Sequence, residues 1–394
     1  MNAEQFCTRY AAERKGTDAL KWDALEERFG APDLLAMWVA DMEFRSCEAV
    51  TEALSKRVEH GVFGYSLLPA GYHEAVINWQ EKRHGYRPQK QWMRFSPGVV
   101  AALYWFINAF SSPGDPVIVL TPVYYPFMNA VRDNRRRLVC CELVNTDGYY
   151  TIDFERFERD IVENKVKLFI HCSPHNPVGR VWKEEELDRL FDICKRHDVL
   201  VMSDEIHQDL VIGTNKQIPS AIVAQGKYAD RIVTAIAPSK TFNLAAMQVS
   251  HIIIQNPDIR ARLDSYLKGN YQADPNHLGL IAAQAAYTHG EKWLSGLLAV
   301  VSENYAYAKA ALEQGAPKVV ISPLEGTYLM WIDLRACLDP GEVKAFMQEK
   351  CRVAIDYGEW FGEQSRGFIR LNLGTEPRHV KAAVEAIIEH LQAL

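Results

Sequence analysis

Residues 237–243 read A-P-S-K-T-F-N and set Lys240 just beyond the apolar run 232–236, which has the makings of a buried strand. A lysine there is held near a core rather than offered to solvent. Other stretches repeat the form, an apolar run followed by polar residues. Residues 199–202 lead into S-D-E-I-H, with Asp204 and His207. Residues 168–171 lead into C-S-P-H-N-P-V-G-R, with Asn176. Residues 116–120 lead into T-P-V-Y-Y-P-F, with Tyr124. Residues 95–103, F-S-P-G-V-V-A-A-L, turn at Pro97 and Gly98 into an apolar helix. The set comprises an amine, an acid, an amide, an aromatic ring and a helix N-terminus. A phosphorylated aromatic aldehyde needs such a set. The amine condenses to a Schiff base, the carboxylate keeps a ring nitrogen protonated, and the helix N-terminus binds phosphate. That group is pyridoxal 5'-phosphate.

Each residue also has an ordinary structural reading. Lys240 fits a surface position, Asp204 a helix cap, and Asn176 before Pro177 a turn. Tyr124 fits an aromatic core, Gly98 a turn, and His207 a satisfied core histidine. No single motif decides between the readings; their order along the chain does.

The elements that must position these residues are those of an α/β protein. Short apolar runs at 116–120, 167–171, 199–203 and 231–236 read as buried strands. Between two of them, 184–197 has apolar residues at 187, 190, 191 and 194, a helical spacing. Strand–helix alternation argues for a mostly parallel sheet flanked by helices, with ligands at the carboxyl ends of its strands. The tail differs, with strands at 326–334 and 368–373 and helices near 341–351 and 377–393. The expected organisation is an N-terminal segment, 1–45, packed on the small domain or a partner; a large domain, 46–285; and a smaller α+β domain, 286–394. A long helical stretch at 275–310 would mark the boundary, with Pro275 at its start.

Bulk properties narrow the function. The 394 residues are 48% hydrophobic and 24% charged, with a net charge of −6, which leaves no basic footprint for nucleic acid or an anionic membrane. No apolar run suits a membrane helix, and the start M-N-A-E-Q-F-C-T-R-Y has no signal-peptide core. The eight cysteines are scattered without a C-x-x-C pair, so reduced thiols and a cytoplasmic location are expected. No G-x-G-x-x-G follows an early strand, and His171 and His175 are interrupted by Pro174, so neither a dinucleotide nor a metal site is expected.

The series S-P-G-V-V, T-P-V-Y-Y-P-F, H-N-P-V-G-R, S-D-E-I-H, S-K-T-F-N and R-L-N-L resembles fold-type I pyridoxal-phosphate enzymes of the class I/II aminotransferase group. R-K-G-T-D-A-L-K-W-D (14–23), W-V-A-D-M-E-F (38–44) and H-G-V-F-G-Y (60–65) resemble its C–S lyase branch of the cystathionine β-lyase type. The resemblance implies roles. Lys240 would hold the cofactor as a Schiff base and shuttle protons. Asp204 would pair with the ring nitrogen, Asn176 and His207 would meet the phenolic oxygen, and Tyr124 would stack on the ring. Gly98, Val99, Val100 and Ser239 would hold the phosphate. Tyr65 would reach the phosphate of a neighbouring subunit, which implies a homodimer with shared sites. Arg370 would clamp the carboxylate of a small amino-acid substrate, and Trp38, Tyr125 and the 356–362 loop would choose its side chain. Ala237 and Gln248 stand where many aminotransferases have serine and arginine. Glu43 and Ala246 are minor departures from an expected aspartate and glycine. The implied reaction is β-elimination from L-cystathionine or another S-substituted cysteine, giving a thiol, pyruvate and ammonia. An aminotransferase and a regulatory binding protein on the same scaffold are the alternatives.

Overall fold

A computed structural model describes residues 1–271 and 275–394. Its central sheet has seven strands: β1 (Met93–Ser96), β2 (Pro116–Thr121), β3 (Arg137–Glu142), β4 (Leu168–Cys172), β5 (Leu200–Asp204), β6 (Ile232–Ile236) and β7 (Ser250–Ile254). Their spatial order is β1-β7-β6-β5-β4-β2-β3. β7 runs antiparallel to both neighbours and the other pairings are parallel. β2, β4, β6 and β7 are buried at every position, which explains why the first three read as unbroken apolar runs rather than alternating ones. β1, β3 and β7 were not among the expected strands: β1 and β7 abut turns outside the strand–helix alternation, and edge strand β3 is only partly buried and reads R-L-V-C-C-E rather than as an apolar run.

One consequence of the topology matters most. The parallel strands and β1 end at one edge, at Ser96, Thr121, Cys172, Asp204 and Ile236, and reversed β7 begins there at Ser250. The register locks this edge: Cys172 lies opposite Asp204, and Asp204 opposite Ala235. Ser96 lies opposite Ser250, their hydroxyls 2.5 Å apart. The helix expected over 184–197 spans Glu184–Arg196 and carries three glutamates in its first turn, where the dipole favours them.

The second sheet is antiparallel: β8 (Val320–Ile321), β9 (Leu329–Asp333), β10 (Asp356–Tyr357) and β11 (Phe368–Asn372), in the order β8-β9-β11-β10. The stretch 275–310 is two helices, His277–His289 and Glu291–Gly315. Pro275 lies before the first, whose cap is Asn276. Near 341–351 there is only a short helix, Val343–Ala345, and a π-helical turn, Phe346–Lys350. The N-terminal helix Ala3–Tyr10 sets Phe6 edge-on against Phe44 and Trp293. At that crossing a Cβ on Gly296 would lie 2.4 Å from the Phe6 ring, so only glycine permits it.

Candidate active site

A cavity of about 180 Å³ opens at the carboxyl edge of the central sheet. Gly98, Val99, Val100, Tyr124, Asn176, Asp204, His207, Ser239 and Lys240 all line it, which gathers most of the residues singled out from the sequence. Five strand ends deliver them: β1 leads to Gly98, Val99 and Val100, β2 to Tyr124, β4 to Asn176, β5 to Asp204 and His207, and β6 to Ser239 and Lys240.

Lys240 sits in the short helix Pro238–Thr241 after β6. Its amine donates to the carbonyl of Ala40 at 2.6 Å. Burial pushes its pKa down to about 8, with Asp41 opposing and Arg370 adding to the fall. Asp204 closes β5 and accepts one backbone bond, from the N–H of Ile206 at 3.0 Å. Burial pushes its carboxyl up to about 7. Among the described residues no cation pairs directly with it. His207 is buried with no partner for Nδ1. Burial, aided by Lys240 and Arg370, holds its pKa well below the usual imidazole value, so the ring is neutral.

Asn176 follows β4 and accepts from Arg370 Nη1 at 2.9 Å through its side-chain oxygen. Its backbone carbonyl accepts from the N–H of Tyr124 at 3.1 Å, tying two wall residues together. Gly98 has φ +152°, a conformation that favours glycine, and a Cβ there would meet nothing within 4 Å. The helix Val99–Phe110 starts at this point, so its first N–H groups face the cavity with no intrahelical partner.

The structure does not bring every expected residue here. Trp38 is corrected: its indole donates to the carbonyl of Lys21 at 2.8 Å, its ring packs edge-on to Phe29, and it does not line the cavity. Tyr65 lies fully exposed beside Phe63, Arg57 and His277. Arg370, in β11, stands behind Asn176, buried and bonded to it and to Asp356. Sequence reasoning missed Ala40, Cys172, Phe127, Ile206, Ala245 and Val249 as lining residues. Gln248, noted as a departure, does line the cavity.

Ala40 belongs to a segment strapped over the lysine by long-range bonds. The hydroxyl of Tyr328 donates to the Ala40 carbonyl at 2.9 Å. Asn372 donates to the carbonyls of Val39 and Asp41, and Asn243 to those of Met42 and Phe44. Behind the strap the fully buried Lys21 amine pairs with Glu43 at 2.9 Å.

A half-buried lysine and a buried acid beside a helix N-terminus, on a seven-stranded mixed sheet, define the fold-type I class of pyridoxal-phosphate proteins. The chain matches the family described as aminotransferase class I and II over residues 39–387, and it belongs to that family. It is 42% identical to the cystathionine beta-lyase PatB of Bacillus subtilis over 363 residues, covering 92% of this chain and 94% of that protein. It is 34% identical to the protein MalY of Escherichia coli, covering 97% of this chain and 98% of that one. Among solved structures, cystalysin from Treponema denticola, which contains pyridoxal 5'-phosphate, superposes with a TM-score of 0.92 at 37% identity, covering 97% of each chain. The pyridoxal-phosphate-bound C–S lyase from Staphylococcus hominis gives 0.90 at 33% identity, covering 96% of each.

Proposed function

We propose that this protein is a pyridoxal-phosphate-dependent carbon–sulfur lyase that β-eliminates a thiol from L-cystathionine or a related S-substituted cysteine. Pyruvate and ammonia are the other products. The observation that carries the reading is that Lys240 and Asp204 line one cavity at a helix N-terminus. The choice of elimination over transfer follows the lyase relatives.

The residues fit the cofactor on their own chemistry. Asp204 is a buried acid lacking a cationic partner, which a protonated ring nitrogen would supply. His207 Nδ1 is a buried nitrogen lacking a partner. Gly98 leaves room against a helix N-terminus, where a phosphate is favoured. When bound, the cofactor supplies an aldehyde for amine condensation and a ring that takes up electron density.

This chain's residues would do the rest. The Lys240 amine, its pKa pushed down to about 8, holds a far larger neutral fraction near neutral pH than an ordinary lysine and is suited to take the proton from the substrate Cα. Asp204, charged once a cation lies beside it, would keep the ring nitrogen protonated. Asn176 and neutral His207 would hold the phenolic oxygen, and Tyr124 would cover the ring face. Val99, Val100 and Ser239 would donate to the phosphate. Arg370 would take the substrate carboxylate and orient the Cα–H bond. Tyr65 would serve a second copy of the chain. Its full exposure among Val62, Phe63 and Leu67 supports a homodimer with shared sites. We keep the division at 1–45, 46–285 and 286–394, and a cytoplasmic location, as part of the same proposal. None of the described helices is long and apolar enough to cross a membrane.

The test is the purified protein, loaded with pyridoxal phosphate and given L-cystathionine without any oxo acid. Steady pyruvate release, with a visible absorbance band abolished by borohydride, is expected. The band without pyruvate would move the function to transamination or to another substrate.

A further inference from the structure

Arg370 does not offer its whole fork to a substrate. Asp356 lies directly opposite it across the antiparallel β10–β11 ladder, so both side chains stand on one face of the sheet. Arg370 Nη2 donates to Asp356 Oδ2, and Nη1 donates to Asn176 Oδ1 at 2.9 Å. Phe361 lies under the guanidinium, 4.8 Å from its carbon to the ring centroid. Nε is buried and unpartnered. Both Arg370 and Asp356 are 2% exposed. A carboxylate fixed by strand register is therefore already on the arginine, where a substrate carboxylate is to bind. Arg370 meets the cavity wall through Asn176, which lines it, and Asp356 stands on the same face of the sheet as Arg370. Nothing in the proposed chemistry uses Asp356.

Resting on the reading that Arg370 takes the substrate α-carboxylate, we infer that Asp356 is a specificity-determining residue: an internal carboxylate that shares Arg370 with the substrate and turns away amino acids and oxo acids bearing a second carboxylate. With one substrate carboxylate bound, the guanidinium serves two acids. A further acid on the substrate side chain adds a like charge to that of Asp356 in a buried, weakly screened space. An uncharged amide or thioether side chain meets no such penalty. The same exclusion disfavours dicarboxylic oxo acids as acceptors of an amino group.

L-Glutamine and L-glutamate separate the charge from the shape, since they differ chiefly in one terminal group. Their dissociation constants for the cofactor-loaded protein, measured by calorimetry, are the readout. Glutamate is expected to bind at least about tenfold more weakly than glutamine. Asp356→Asn, which keeps the shape and removes the charge, should narrow that gap to about threefold or less. A wild-type protein that binds both equally overturns the inference, as does a gap that persists in the variant. Circular dichroism checks the fold, and Asp356→Ser is the second variant should the first not fold. Arg370→Ala distinguishes the failures. If it weakens neither ligand, the carboxylate site lies elsewhere and the inference falls with it. If it weakens both while the gap persists in Asp356→Asn, the inference alone falls. Absence of pyruvate from cystathionine would sink the lyase reading and leave these binding constants to stand on their own.

Discussion

Asp204 and Asp209 leave the same strand end and are both buried, yet their surroundings are opposite. Asp204 accepts one backbone N–H, and burial pushes its carboxyl up to about 7. Asp209 accepts from the Trp79 indole, from Arg83, from His84 at 2.9 Å and from the Thr241 hydroxyl at 2.9 Å. Burial pushes its carboxyl up too, but His84, Arg83 and Thr241 outweigh that and hold it below the usual range. Two lysines, Lys21 fully buried and Lys240 half-buried beside the cavity, repeat the contrast. Lys21 has a carboxylate at 2.9 Å, whereas Lys240 has one backbone carbonyl. Buried polar groups are normally matched within the protein. Where the protein leaves one short beside a cavity, the missing partner is brought from outside. The saturated acid is scaffold, and the undersupplied acid and amine are the working parts.

The strongest way to break this contrast is Lys240→Ala. Pyruvate release should fall by about 10³-fold or more, because no other amine lines the cavity. Asp204→Asn should cost about 10²–10⁴-fold in turnover, and a loss under tenfold would remove its assignment to the ring nitrogen. In the cofactor-free protein the same substitution has an opposite signature. Asp204 has a folded pKa raised to about 7 from 3.8, so above pH 7 its charge destabilises the fold. Asp204→Asn should then melt higher than wild type at pH 8, by a few kcal/mol of stability. The difference should vanish as the pH falls from 7 to below 4 and the wild-type carboxyl takes up its proton. Equal melting temperatures at pH 8 would contradict the raised pKa.

Asp209→Ala should act on stability instead, costing about 3–5 kcal/mol in denaturant titration, because it strands buried donors. The smallest effect belongs to Trp38→Phe. It should leave turnover within about threefold and cost about 1 kcal/mol for one indole hydrogen bond. A large loss of turnover would put Trp38 back beside the substrate.

What could be read from the sequence was local. Lys240, Asp204, Asn176 and Tyr124 each follow a continuous apolar run, and parallel topology sends such run ends to one edge. Position in the chain therefore translated into position in space. Trp38 and Ala40 obey no such rule. Residues 38–44 lie outside any helix, and their place is set by amide side chains of Asn243 and Asn372 bonding to backbone carbonyls. Such bonds leave no periodicity behind. That the carbonyl of Ala40 rather than the ring of Trp38 reaches the lysine could not be read from residue type. Asp356 was visible only as part of a loop, because its meaning lies in the register of β10 against β11.

The strap over Lys240 also sets a timetable. Val39 and Asn372 are 333 residues apart in the chain, and Ala40 and Tyr328 are 288 apart. At a synthesis rate of about 5–20 residues per second, roughly 15–70 s pass between the making of Val39 and of Asn372. Lys240 is made 132 residues before Asn372, so for the last roughly 7–26 s of that interval the nascent chain carries Lys240 before the strap over it is complete. Completion of the cofactor site is therefore a late event in the life of the chain, and truncations near the carboxyl terminus unmake a site whose lysine lies far upstream.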